Sequence, residues 1–122
     1  MQDTIANALN RIMNAKRARK KTCIVPSSKL LLNVLELMKK GNYIESFSER
    51  AGKAEITIGN INECRAIKPR FYVGKDDYDK YVRRYLPARD FGVVIVSTSK
   101  GILSHHDAFE KGVGGSLIAF CY

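Results

Sequence analysis

Apolar residues recur at helical spacing in the first third of the chain and predict two amphipathic helices. The first helix is predicted over residues 3–15, and the second runs from a serine cap at Ser27 or Ser28 to about residue 40, where Gly41 stops it. The apolar stripe of the first helix consists of Ile5, Leu9, Ile12 and Met13. That of the second consists of Leu31, Val34, Leu35 and Met38. Each helix therefore has one face suited to packing against a core.

Alternating apolar and polar residues predict three strands in the same part of the chain. Residues 22–25 form the first strand, and residues 43–47 and 55–58 form the two arms of a hairpin that turns at Gly52. The order of elements is then helix, strand, helix, strand, strand. This pattern predicts a small α+β domain over residues 1–64.

The second half of the chain alternates short strands with short helices. The β-branched run at residues 93–96 suits a strand buried on both faces, and a polar turn follows it over residues 97–101. Ser104 then caps a short helix over residues 105–111, and residues 116–122 alternate as a terminal strand. The predicted order is strand, polar turn, helix, glycine turn and strand.

A further helix precedes the buried strand and is predicted to be capped by Asp76 or Asp77. One face of this helix carries Tyr78, Tyr81, Val82 and Tyr85. The opposite face carries Lys80, Arg83 and Arg84. The helical spacing favours packing of the tyrosines in a core over stacking of their rings on unpaired nucleotides.

These elements predict an α+β protein of two small, closely packed domains. The N-terminal domain, residues 1–64, has the order α-β-α-β-β, and the C-terminal domain, residues 65–122, has an antiparallel sheet with short helices. An extended segment around Pro69 leads into the second domain, and no flexible linker separates the two.

The chain of 122 residues carries 21 Lys and Arg against 12 Asp and Glu, a net charge of +9. Such an excess predicts a polyanionic partner, and nucleic acid is the first candidate. An anionic membrane fits less well, because no apolar run is long enough to span a bilayer and no helix combines a large apolar face with many lysines. The N-terminus lacks the basic and apolar stretches of a signal peptide, so we expect a cytoplasmic protein.

The three cysteines, Cys23, Cys64 and Cys121, lie far apart and lack the spacing of a zinc site or a redox motif. Their apolar neighbours predict that they act as small hydrophobic residues in a core. His105 and His106 are adjacent, so on a helix they point in different directions and do not form a metal-binding pair. We therefore expect no metal and no cofactor.

The polar turn after the buried strand is the first candidate binding site. It consists of Ser97, Thr98, Ser99, Lys100 and Gly101. A second turn nearby in the sequence contains Gly114 and Gly115. Hydroxyl groups and glycines are common in turns for conformational reasons alone. Hydroxyls beside a lysine also suit a phosphate-bearing ligand, and the charge of the whole chain favours this second interpretation.

Polar residues at helical spacing form a second candidate surface on the first helix. Asn7, Arg11 and Asn14 share the face opposite the apolar stripe. At the start of the second helix, Lys29 follows Ser28 and opposes the helix dipole, which is easier to explain if a phosphate binds the free amides there. A solvated helix face explains the first group equally well, and a surface lysine tolerated at the helix start remains the alternative for Lys29.

Several of these motifs resemble those of the universal small-subunit ribosomal protein uS8 family. The run Gly92-Val-Val-Ile-Val-Ser-Thr-Ser-Lys-Gly-Ile-Leu-Ser104, with Gly-Val-Gly-Gly at residues 112–115, is similar to the long motif of that family. Residues 84–91, Arg-Tyr-Leu-Pro-Ala-Arg-Asp-Phe, resemble its archaeal and eukaryotic branch. Ala-Leu-Asn-Arg-Ile-Met-Asn-Ala at residues 8–15 and Pro-Ser-Ser-Lys at residues 26–29 extend the resemblance to the N-terminal half.

The resemblance implies a structural protein of the small ribosomal subunit that binds the central domain of the ribosomal RNA (rRNA) and helps to assemble the platform. It implies rRNA and neighbouring ribosomal proteins as partners. The RNA contacts that the residues and the resemblance together predict are Asn7, Arg11, Asn14, Ser28, Lys29, Ser97, Thr98, Ser99, Lys100, Gly101, Gly114 and Gly115. Three positions depart from the family pattern. Thr4 stands in place of a proline and Met13 in place of a residue that is often basic, so we expect one phosphate contact to be missing. Ser116 replaces a residue that is commonly charged, so we expect any contact there to be weaker or lost.

Two other functions remain open on the sequence alone. The same surface can bind a messenger RNA that mimics the ribosomal site, which would make the protein a translational repressor. Ser104 beside His105 can be read as a nucleophile and a base, but the serine is better explained as a helix cap. We therefore expect no enzyme activity.

Overall fold

The computed structural model describes residues 4–67, 72–87 and 91–122. Helices and antiparallel sheets are both present, so the predicted α+β class is confirmed. The chain divides into two compact units, Met1–Arg65 and Ala66–Tyr122, which we call unit 1 and unit 2.

Unit 1 contains two helices and a three-stranded sheet. Its elements are α1 (Thr4–Arg17), β1 (Thr22–Pro26), α2 (Lys29–Lys40), β2 (Ile44–Arg50) and β3 (Lys53–Ile58). The strands are antiparallel in the order β1-β3-β2, so β1 and β2 are the edges of the sheet. The predicted order α-β-α-β-β is confirmed, although β2 continues to Arg50, beyond the predicted end at residue 47.

The apolar stripes of the two helices form the core of unit 1, as their spacing predicts. The buried residues include all the predicted members of the stripes, which are Ile5, Leu9, Ile12, Met13, Leu31, Val34, Leu35 and Met38. Val25, Ala54 and Ile56 from the sheet are also fully buried. Amphipathic spacing alone was enough to identify this core, because a helix that is polar on one face must bury the other.

Ser28 is the N-cap of α2, one of the two serines predicted for that position. Its hydroxyl oxygen accepts a hydrogen bond from the Leu31 amide at 3.1 Å, which satisfies one of the free donors of the first turn. The neighbouring Ser27 hydroxyl instead donates to Glu49 Oε2 at 2.6 Å. Gly41 is the C-cap, as predicted.

Unit 2 is built on an antiparallel sheet covered by two helices. From the strand at its boundary onwards, the elements are β4 (Cys64–Ala66), β5 (Tyr72–Val73), α3 (Tyr78–Tyr85), β6 (Val93–Thr98), β7 (Gly101–Ser104), α4 (His105–Glu110) and β8 (Gly115–Cys121). The strand order is β4-β8-β6-β7, and β5 also pairs with β8. The predicted antiparallel sheet with short helices is therefore confirmed.

The polar turn predicted over residues 97–101 is shorter in the structure than in the prediction. Ser97 and Thr98 belong to β6, and the chain reverses at Ser99 and Lys100 into β7, which the sequence analysis missed. The strand β7 has only two apolar residues and ends at the helix cap Ser104, so it shows no alternating pattern of its own. Its pairing with β6 stabilises it as a strand.

The core of unit 2 lies between one face of the sheet and the helices. Val73, Val94, Val96 and Leu117 from the strands pack with Tyr78, Val82 and Ala108 from the helices. Tyr81 and Tyr85 are partly buried against the same cluster. The tyrosines of α3 therefore belong to the core, which confirms the choice of packing over nucleotide stacking.

The N-cap of α3 differs from the prediction. Asp77 occupies the N-cap position, but its side chain accepts no hydrogen bond from the helix, so side-chain capping by this residue is wrong. Its backbone amide donates to Gly74 O at 3.0 Å instead, which closes a turn before the helix. The extended segment predicted around Pro69 falls largely on residues 68–71, outside the described residues.

The cysteines behave largely as predicted. Cys64 and Cys121 are buried among apolar residues, whereas Cys23 is only partly buried. The Cys64 thiol donates to Leu9 O at a distance of 3.6 Å. Burial raises the pKa of Cys64 to about 12, and the nearby Glu63 carboxylate adds to the shift.

We expect Cys64 to resist alkylation in the folded protein and to react at a rate that rises about tenfold per pH unit between pH 8 and 11, since only the thiolate reacts. The folded pKa of about 12 lies above the ordinary value of 9.0, so raising the pH through this window also favours the unfolded chain. Mass spectrometry of protein treated with iodoacetamide at each pH measures the labelling rate of each cysteine, and urea unfolding at pH 8 and pH 11 measures the change in stability. Preferential labelling of Cys64 over Cys23 at pH 8 would contradict the prediction.

Candidate nucleic-acid interface

The turn between β6 and β7 is held by the Thr98 side chain. Its hydroxyl donates to Gly101 O at 2.8 Å and accepts a hydrogen bond from the Lys100 amide at 3.1 Å. The proton of Thr98 is thus used inside the turn. Ser99 and Lys100 lie at the tip and are exposed, so their polar groups point away from the sheet.

Polar side chains of three neighbouring strands, β5, β8 and β6, align next to this turn. Ser97 of β6 pairs with Ser116 of β8, and Ser116 pairs with Tyr72 of β5. Residues directly opposite one another in an antiparallel ladder project to the same face of the sheet. Tyr72, Ser116 and Ser97 therefore form one row across three strands, which we call the tyrosine–serine row. With strands about 4.8 Å apart, the row is about 10 Å wide.

The tyrosine–serine row is accessible. The Tyr72 side chain is 71% exposed, the highest value among the large apolar and aromatic residues found exposed in the described chain. Ser97 and Ser116 are partly exposed. The neighbouring pair, Val96 and Leu117, points to the opposite face of the sheet and is fully buried in the core of unit 2. The row is a polar, aromatic strip on a rigid support.

Gly114 and Gly115 bring these strands together. A Cβ atom at residue 115 would collide with the backbone carbonyl oxygen of Ser97, and one at residue 114 would lie 2.9 Å from the Tyr72 hydroxyl oxygen and 2.6 Å from Val73 O. Glycine is therefore required here for the close approach of neighbouring backbones. The glycine pair supports the row, whatever contacts its own amides make.

Sequence reasoning did not select Tyr72 or Ser116 as binding residues. Ser116 was noted only as a departure from the family pattern. Tyr72 lies between Phe71 and Val73, two residues that alternation in an extended segment puts on one face. The same alternation puts Tyr72 on the other face. That signal was present, but the pairing of Tyr72 with Ser116 spans 44 residues and cannot be read locally.

In unit 1 the predicted face of α1 is exposed. Asn7, Arg11 and Asn14 are all exposed and lie on the side of the helix opposite its buried stripe. Arg11 Nη1 donates to Ile24 O of the edge strand β1 at 3.1 Å, which orients the guanidinium group. Arg11 and Asn14 line an open groove of about 540 Å³ beside β1. The remaining donors of Arg11 are available to a ligand in that groove.

The other two predicted residues of unit 1 lie at the start of α2. The Ser28 hydroxyl oxygen is engaged as the helix cap, as described above. Lys29 is the first helical residue and is exposed. The predicted set is thus divided, with Asn7, Arg11, Asn14, Ser28 and Lys29 in unit 1 and the turn and glycine residues in unit 2.

Comparison with known proteins identifies the family of this chain. A family model described as "Ribosomal protein S8" matches residues 3–122, nearly the whole chain. The chain belongs to the ribosomal protein S8 family. A curated relative, the small ribosomal subunit protein uS8 of Archaeoglobus fulgidus, is 48% identical over an alignment that covers 98% of each chain. The resemblance inferred from the motifs is confirmed, and the protein is a constituent of the small ribosomal subunit.

The uS8 family is not an enzyme family, and the residues once considered for catalysis have structural roles. The Ser104 hydroxyl oxygen accepts a hydrogen bond from the Asp107 amide at 3.2 Å, which confirms that this serine caps α4. His105 is buried, and its Nδ1 accepts a hydrogen bond from the Val94 amide at 3.0 Å. Ser104 and His105 are therefore held by backbone groups of different elements.

Two further observations apply to the described part of this uS8 chain. No three His, Cys, Asp or Glu side chains within it are placed to hold a metal ion together. None of the helices in the described ranges is long and apolar enough to cross a membrane.

Proposed function

We propose that this protein binds the central domain of the small-subunit rRNA directly and helps to assemble the platform of the subunit in the cytoplasm. The observation that carries the proposal is the tyrosine–serine row of Tyr72, Ser116 and Ser97, which lies beside the exposed Ser99 and Lys100. The proposal also rests on the family, whose members are constituents of the small subunit.

The row suits the minor groove of A-form RNA. That groove is wide and shallow and displays 2′-hydroxyl groups, which both donate and accept hydrogen bonds. Serine hydroxyls also donate and accept, so Ser97, Ser116 and Ser99 complement the 2′-hydroxyls and base edges of a groove whose local shape brings both to the row. The exposed ring of Tyr72 offers a flat surface on which an unpaired base next to the groove can stack.

The cations would supply the affinity that depends on salt. Lys100 lies at the tip of the turn, within reach of a phosphate next to the groove. In unit 1, Arg11 and Lys29 are exposed cations on surfaces that also carry amide side chains or free helix amides. Each phosphate neutralised makes the logarithm of the affinity fall by roughly 0.7 to 0.9 per log unit of salt.

A translational repressor function would use the same residues. A messenger RNA folded like the rRNA site would present the same minor groove to the tyrosine–serine row, because the row reads shape. The structure therefore requires no second site for that function. Comparing the affinity for an rRNA fragment with the affinity for the protein's own messenger RNA shows whether the protein binds only the rRNA or both RNAs.

We expect replacing both Ser97 and Ser99 with alanine to weaken binding to a central-domain rRNA fragment by about 30-fold, because two hydrogen bonds of about 1 kcal/mol each are lost. Binding to an unrelated duplex of the same length should not change. The measurement is a binding titration of both RNAs at two salt concentrations. High salt weakens binding by charge alone, so the wild-type preference for the rRNA fragment should persist there.

The matched control is the double replacement of Ser46 and Ser48, two exposed serines on β2 of unit 1, with alanine. It removes the same groups from a strand outside the proposed interface and should leave rRNA affinity unchanged. A Ser97 and Ser99 variant that binds the rRNA fragment normally would refute the proposed contact, as would equal binding of both RNAs by the wild type. Neither Ser97 nor Ser99 belongs to the buried core, so the helical circular dichroism signal should not change, and its loss would refute this expectation.

A further inference from the structure

Unit 2 contains a groove between α3 and α4 that the proposed RNA contacts do not use. Tyr78 and Val82, both 3% exposed, contribute to its apolar lining, and Phe109 stands at its margin with 62% of its side chain exposed. Asp76, Asp79 and Glu110 also line it. We call this feature the acidic groove.

The charge of the acidic groove is opposite to that of the chain. Its lining contains three carboxylates, the two histidines His105 and His106, and no lysine or arginine, although the whole chain has 21 basic and 12 acidic residues. Asp79 is paired with Arg83 Nη2 at 3.0 Å on the exposed surface of α3. Within the described residues, neither Asp76 nor Glu110 makes an ion pair. Two carboxylates are thus free to attract a cation.

These carboxylates make the groove a poor surface for RNA. Asp76 and Glu110 would repel phosphate groups. Covering the exposed ring of Phe109 with protein instead removes apolar surface from water, which is favourable. A basic protein segment is attracted to the same carboxylates that repel RNA. Its cationic groups are attracted, and its apolar atoms cover the exposed aromatic ring.

The size of the groove fits one long side chain. Its volume is about 170 Å³, similar to that of an apolar cavity of ~150 Å³ that takes up a benzene-sized ligand. The aliphatic stem of an arginine can lie against Tyr78 and Val82, as such stems commonly cover apolar surface. Its planar guanidinium can then stack on Phe109 and form paired hydrogen bonds with a carboxylate.

We propose that the acidic groove docks a basic segment of a neighbouring small-subunit protein, with an arginine side chain as the anchor. Membership of the small ribosomal subunit places the chain among other proteins, and charge complementarity selects a basic partner segment over RNA. The proposal does not depend on which residues bind the rRNA. In it, the acidic groove of unit 2 faces protein and the tyrosine–serine row faces RNA.

The test replaces Phe109 with the photoreactive residue p-benzoylphenylalanine in protein that is incorporated into small subunits in cells. Irradiation of the purified subunits followed by mass spectrometry identifies what lies against the groove. We expect a crosslink to a segment of another ribosomal protein with arginine next to the crosslinked position. Adding Glu110→Lys should lower the yield of that crosslink about fivefold or more, because a carboxylate facing the arginine becomes a cation.

The control is Glu36→Lys, which makes the same charge change at an exposed residue of α2 in unit 1 and should leave the crosslink unchanged. A crosslink to rRNA, to a second copy of this chain or to a segment without basic residues would overturn the proposal. So would the absence of any crosslink, or a yield insensitive to Glu110→Lys. Affinity for the rRNA fragment should not fall in Glu110→Lys, so failure of this proposal and failure of the proposed RNA contacts are distinguishable.

Discussion

Replacing Gly115 with alanine is expected to lower the free energy of unfolding by about 3 kcal/mol, because the new methyl group has no space between two paired strands. A Cβ atom at this position would collide with Ser97 O and would lie 2.8 Å from Val96 Cγ1. Gly115 pairs with Thr98 on one side and with Val73 on the other, so neither neighbour can move away without breaking a ladder. Urea unfolding followed by circular dichroism measures the loss.

Gly52→Ala is the matched control for that measurement. Gly52 lies in the tight turn between β2 and β3 with a φ of +77°, and a Cβ atom there meets nothing within 4 Å. Its replacement should cost about 1 kcal/mol, the usual penalty for a left-handed backbone at a non-glycine residue. If Gly115→Ala is no more destabilising than Gly52→Ala, the close approach of β8 to β6 is not what requires glycine at residue 115.

Replacing Tyr72 with alanine is expected to weaken binding to the central-domain rRNA fragment by about 5- to 150-fold, because stacking of a nucleotide on an aromatic ring contributes about 1–3 kcal/mol. The ring is 71% exposed, so its removal takes little apolar surface out of the core. Tyr72→Phe keeps the ring and should retain most of the affinity. A binding titration at fixed salt measures both variants.

Phe109→Ala provides the comparison, since Phe109 is also a largely exposed aromatic residue of unit 2 but lies outside the tyrosine–serine row. Its removal should leave the affinity for the rRNA fragment within about twofold of the wild type. Equal losses in Tyr72→Ala and Phe109→Ala would mean that no specific contact is made at Tyr72. Unchanged affinity in Tyr72→Ala would remove this residue from the proposed interface.

Local patterns were sufficient for much of the fold. The stripes at Ile5 and Leu9 in α1 and at Leu31 and Leu35 in α2 identified the core of unit 1, because helical spacing alone decides which residues share a face. The cap at Ser104 was likewise visible, since a cap depends on residues within one turn of the helix. The buried strand at residues 93–96 followed from its β-branched run.

Predictions were weaker where short polar residues have several local uses. Asp77 stands at the start of α3 but does not cap it with its side chain, and Thr98, predicted as an RNA contact, uses its hydroxyl inside the turn. Such side chains form hydrogen bonds with backbone groups that only the final geometry brings close. The sequence could name these residues as candidates without deciding which groups their oxygens would reach.

The sequence by itself determined the α+β class, the order of elements in unit 1, the buried faces of the helices and the family. The tertiary structure decided that β7 is a strand, that Tyr72, Ser116 and Ser97 form one row, and that acidic residues of α3 and α4 share a groove. The physical reason is the range of the interactions. Helical faces and caps depend on neighbours a few residues away, whereas cross-strand rows and grooves depend on register between segments that are distant in sequence.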